Sequence, residues 1–77
     1  MLLSKAVNLR VKEICQLYEL TPTNLSKISG IPLTTILDVL KKDDICPTLV
    51  TIAKICKGIE MDLDEFFSTS LFNNYTI

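Results

Sequence analysis

The chain has 77 residues, 48% of them apolar and 6% aromatic, with two Gly, three Pro and three Cys. That length holds one small domain with one core, and the apolar content excludes a disordered or collagen-like chain. Eight Lys+Arg against nine Asp+Glu leave a net charge of −1, which excludes a uniformly basic nucleic-acid coat but not a local basic face.

Apolar runs of three residues or fewer, such as Met1-Leu2-Leu3, fit neither a membrane span nor a signal peptide, so a soluble, cytoplasmic protein is expected. The cysteines, Cys15, Cys46 and Cys56, are odd in number, form no C-x-x-C pair and have no histidine beside them. A tetrahedral zinc site would lack ligands, and no metal or other cofactor is expected. Cys15 and Cys56 fall on apolar helical faces, where a free Cys behaves as a small hydrophobe. The absence of His also removes Cys–His and Ser–His–Asp catalysis, so no enzymatic activity is expected. Asp62, Asp64 and Glu65 crowd one segment, but acids in a first helical turn serve the helix dipole.

The first helix is expected after Ser4 as N-cap, from Lys5 to about Tyr18. Val7, Val11, Ile14 and Tyr18 recur at spacings of four, three and four, one buried stripe, with Arg10, Lys12, Glu13 and Glu19 off it as solvated charges. Thr21 caps a second helix over Pro22 to Ser29, Pro22 taking the first position because its missing N–H has no helical partner there. Leu25, with Ile28 as a further candidate, faces inward, and Gly30 supplies the positive φ that ends the helix.

Pro32 opens a third helix over Leu33 to Lys41 with Ile36, Val39 and Leu40 as its core face. Lys41-Lys42-Asp43-Asp44 reads as a turn, closed by Pro47. Thr48 caps a fourth helix to about Lys57, with Leu49, Ile52, Ala53 and Cys56 inward and Gly58 as its stop. A fifth, from about Asp62 to Ser68, is anchored by Phe66 and Phe67. Residues 1–68 thus form an all-α domain of five helices, and residues 69–77 a tail that either packs across the domain or meets a partner.

Leu20-Thr21 with Leu25, Ser29-Gly30-Ile31 and Thr34-Thr35-Ile36 have the spacing of a helix-turn-helix. Followed by Pro47-Thr48-Leu49, Thr51-Ile52, Ile55-Cys56 and Leu63-Asp64-Glu65-Phe66-Phe67, they resemble the Xre/Cro-type helix-turn-helix family of phage repressors and bacterial regulators. The resemblance covers about Val7 to Phe67. It implies a compact, lambda repressor-like five-helix bundle whose third helix enters the major groove of double-stranded DNA at a palindromic operator. It also implies a homodimer, with half-sites about one helical turn apart.

The family's base-reading positions fall on Leu33, Thr34 and Asp38, with Thr35 beside them. A Leu packs on a thymine methyl, a Thr bonds either kind of base edge and an Asp accepts from a cytosine amino group. Phosphate-contact candidates are Thr23, Asn24, Lys27, Lys41 and Lys42, with Arg10 and Lys54 further out. Dimerisation candidates are Ile59, Met61, Phe67, Leu71, Phe72 and Tyr75.

The chain departs from the family at Pro22, which has no donor where a phosphate-touching Gln is common, and at Asp43 and Asp44 in a loop that is often basic. Leu37 replaces a polar residue on the outer side of the third helix. The acids are otherwise segregated: residues 1–57 carry eight basic and five acidic side chains (+3), and residues 58–77 four acidic and none basic (−4). Two functions from different classes follow. One is a sequence-specific DNA-binding regulator, a repressor by operator occupancy. The alternative is a protein-interaction module on the same scaffold, antitoxin-like or anti-repressor, which Pro22, Asp38, Asp43 and Asp44 favour because each removes or opposes a phosphate contact.

Overall fold

Local capping chemistry places most helix boundaries where the sequence predicts them. The computed structural model describes all 77 residues: α1 (Leu3–Leu17), α2 (Pro22–Ser29), α3 (Leu33–Lys41), α4 (Leu49–Gly58), α5 (Leu63–Phe67) and a 3-10 turn at Ser70–Phe72. Thr21 Oγ1 accepts from Asn24 N at 3.1 Å at the start of α2, and Thr48 Oγ1 accepts from Thr51 N at 3.2 Å at the start of α4. Gly30 ends α2 at φ 72, the left-handed region a side chain disfavours.

The first helix differs from expectation at both ends. It begins at Leu3, and Ser4 is not its cap: the Ser4 hydroxyl donates to Asp43 O at 2.7 Å. Instead Leu3 N, one of the orphan donors of the helix start, donates to Thr76 O of the tail. The helix closes at Leu17 in a Schellman arrangement: Leu20 N donates to Cys15 O and Glu19 N to Gln16 O. Tyr18 therefore lies past the last helical residue and is exposed, not on the buried stripe.

α4 ends the same way, Met61 N donating to Cys56 O and Glu60 N to Lys57 O. Gly58 is accordingly the last residue of this helix and not its stop; the left-handed position is Glu60, at φ 57, as Glu19 is at φ 53 after α1. What Gly58 permits is close approach. A Cβ there would sit 2.7 Å from Ile28 O and 3.0 Å from Ile28 C, so α2 and α4 touch backbone to backbone.

The core is a single cluster to which every helix contributes: Val7, Val11 and Ile14 from α1, Leu25 from α2, Ile36 and Val39 from α3, Ile52, Ile55 and Cys56 from α4, and Phe66 from α5. Ile31 and Met61 join it from the connections, and Leu40 packs against its edge. The radius of gyration of 11.4 Å matches the roughly 11.5 Å of a close-packed chain of this length.

Two apolar residues expected inside are outside. Ile28 is exposed on α2, and Leu49 is 62% exposed. Cβ bonds tilt toward a helix's N-terminus, so Leu49, the first residue of α4, leans past the helix end instead of onto the core. Phe67 is exposed, its ring edge-on to Phe66 at 4.9 Å and to Phe72 at 5.0 Å. The tail packs back over the domain: the 3-10 turn meets α1, and Thr76 bridges to Leu2 in parallel, with Thr76 N donating to Met1 O at 2.9 Å.

Candidate nucleic-acid interface

α2 and α3 are joined by three residues, Gly30-Ile31-Pro32, and each part has a local cause. Gly30 turns the chain, Ile31 is buried as a peg in the core, and Pro32, at φ −55 and ψ 141, delivers an extended residue into the first turn of α3. The Ser26 hydroxyl donates to Ile31 O at 2.5 Å and ties the connection back onto α2. The C-terminal end of α3 is fixed from α1, where buried Asn8 donates through Nδ2 to Val39 O at 2.7 Å and to Leu40 O at 3.0 Å. These carbonyls have no partner within the helix, and a buried carbonyl without one costs about 1–3 kcal/mol.

Held at both ends, α3 turns Ile36 and Val39 inward and presents Leu33, Thr34 and Asp38 to solvent, with Thr35 half-buried. On α2, Thr23, Asn24 and Lys27 are exposed at spacings that place them on one face. Lys41 and Lys42 are exposed at the end of α3. The acids that oppose phosphate are in part neutralised within the chain: Asp38 pairs with Lys42 at 3.3 Å and Asp43 with Lys5 at 3.4 Å, all four half-exposed and so only weakly coupled. Lys27 and Lys41 pair with no acid, which leaves their charge available to a ligand.

Arg10 is not an outer phosphate candidate. It lies three residues after Val7 and four before Ile14, on the buried stripe, and is 6% exposed. Its Nε donates to Phe66 O at 2.8 Å and its Nη2 to Glu65 O at 3.0 Å, with Nη1 on Glu13 Oε1. The guanidinium thus caps the C-terminal end of α5 and lies 5.7 Å from the Phe66 ring centre.

The dimerisation candidates divide. Met61 is 7% exposed and belongs to the core, which removes it from any surface a partner can reach. Ile59 and Phe72 pack against the core from its edge, Leu71 is half-buried, and Phe67 and Tyr75 are the exposed members.

One concavity marks the surface, a cleft of about 360 Å³ where α2 meets α4, lined by Ile28, Ser29, Lys54, Lys57, Gly58 and Glu60. Its single apolar wall, Ile28, is unlike the mostly apolar lining of a small-molecule site. No helix is long and apolar enough to cross a membrane. No protein-family model, curated protein or solved structure matches the chain.

The positioning residues Asn8 and Arg10 escape a reading that sorts side chains by polarity. Their one signal is position, since both occupy the helical face defined by Val7, Val11 and Ile14, where a polar residue needs a buried partner. Among the cysteines, Cys56 is buried, Cys15 half-buried and Cys46 exposed, all three free. Burial pushes the Cys15 and Cys56 thiols above their ordinary values, which keeps them protonated and unreactive.

Proposed function

We propose that the chain is a sequence-specific double-stranded DNA-binding regulator of the Xre/Cro type, acting by operator occupancy as a homodimer with α3 in the major groove. The observation that carries this reading is the α2–turn–α3 unit. It joins two short helices through a left-handed Gly30, clamps α3 at its far end through Asn8, and leaves Leu33, Thr34 and Asp38 of α3 exposed. A helix so held can enter a groove without rearrangement, because the carbonyls at its far end already have their donor in Asn8. Leu33, Thr34, Thr35 and Asp38 are the base-reading residues, and Thr23, Asn24, Lys27, Lys41 and Lys42 the phosphate contacts.

The test is selection from random duplex DNA at moderate salt, followed by titration of the enriched duplex. A two-fold-symmetric motif is expected, with the three lysines of each protomer giving a slope of about −5 in log K against log salt. No enrichment and no salt-dependent binding refute the reading.

A second reading is a protein-interaction module on the same scaffold. Ile45, Leu49 and Val50, close in sequence to Asp43 and Asp44, are each more than half exposed, apolar side chains that phosphate contact does not explain. Capture of a protein partner that Leu49→Asp abolishes, with no binding to any duplex, supports this alternative.

A further inference from the structure

Leu33, Thr34, Leu37, Asp38 and Lys41 occupy positions i, i+1, i+4, i+5 and i+8 of α3, one face of a helix with 3.6 residues per turn. This face is opposite buried Ile36 and Val39. Leu33 is 40% exposed and Leu37 half-buried, and neither belongs to the core cluster or packs against it. Two leucines on the free side of a nine-residue helix leave apolar surface in water, where polar residues would be neutral. The same face carries no Arg, Asn or Gln, and its one cation, Lys41, lies in the last turn.

In the major groove, guanine offers two acceptors, N7 and O6, which call for Arg or Lys donors; adenine calls for the paired donor and acceptor of Asn or Gln; thymine offers a methyl group. On this face Asp38, held by Lys42 at 3.3 Å, brings a carboxylate toward any acceptor edge and repels it. We infer, building on the DNA-binding reading above, that α3 recognises thymine C5-methyl groups through Leu33 and Leu37 and that Asp38 turns away a guanine acceptor edge facing it, accepting only from an amino group such as that of cytosine. The half-site is accordingly thymine-rich. Burying one methyl between a leucine and the groove wall changes affinity about four-fold.

Deoxyuridine tests this directly, since it pairs as thymidine does and lacks only the methyl. Each thymine of the selected duplex is replaced in turn, and binding of the unmodified protein, Leu33→Ala and Leu37→Ala is measured by fluorescence anisotropy. Both leucines are outside the core, and circular dichroism verifies that the variants remain helical. The expected result is about a four-fold loss at one or two positions of each half-site, absent in the variant lacking the matching leucine. Indifference to deoxyuridine at every position, an identical loss in both variants, or a guanine-rich half-site overturns the inference while leaving DNA binding in place. Failure of any duplex to be enriched overturns both.

Discussion

Gly58→Ala sets two effects of opposite sign against each other. Alanine is the better helix former by about 1 kcal/mol, so a reading of α4 alone predicts stabilisation. The tertiary structure predicts the reverse. The new methyl would lie 2.7 Å from Ile28 O, 3.0 Å from Ile28 C and 3.2 Å from Ser29 Cα, all backbone atoms that cannot rotate away. Reaching an ordinary contact of about 3.5 Å requires α2 to retreat by nearly ~1 Å, taking Leu25 with it out of the core cluster. Overpacking of this kind costs about 1–3 kcal/mol. The net expectation is a loss of about 1 kcal/mol, or roughly 4–8 °C in Tm for a domain of this size. Urea and thermal unfolding followed by circular dichroism measure it. A Gly58→Ala protein as stable as the parent, or more so, refutes the backbone contact between α2 and α4.

Arg10→Ala leaves the Phe66 carbonyl and the Glu13 carboxylate without their donor and Glu65 O with Ser68 N alone, and is expected to cost about 2–4 kcal/mol in urea unfolding. Glu13→Gln, at a half-exposed position, is expected to change stability by less than ~1 kcal/mol. Glu60→Gly relieves a left-handed residue at φ 57 and is expected to raise stability by about 0.5–1 kcal/mol, read as a higher urea midpoint. An unchanged midpoint would refute the strain. Burial raises the Cys15 and Cys56 thiols above 9.0, so the folded state keeps protons that the unfolded chain gives up. Their contribution is complete below pH 9 and is lost as pH rises above it, and the double variant Cys15→Ala, Cys56→Ala is expected to show a flatter stability profile above pH 9. A thiol reagent at pH 7.5 is expected to modify Cys46 in the native protein and all three cysteines only after unfolding.

What the sequence determined by itself is the part of the fold that nearest neighbours control. Thr21 and Pro22, Gly30 and Pro32, and Thr48 act on N–H groups and dihedral angles within a few residues of themselves, so α2 and α3 have the bounds that the sequence predicts and α4 differs by one residue. Helical spacing likewise marked Val7, Val11, Ile14, Leu25, Ile36, Ile52 and Phe66 for the core, because a 3.6-residue period maps directly onto a face. The tertiary structure alone decided the fates of groups whose partners are remote in the chain. Arg10 is buried because the end of α5, 56 residues away, offers carbonyls that a guanidinium can cap. Asn8 is buried because α3 ends beside it, 31 residues on. Gly58 is required because a second backbone crosses there, and Met61 is a core residue because the turn after α4 folds it under the domain. Each outcome depends on which surfaces meet, and helical period and capping rules act over one or two turns at most.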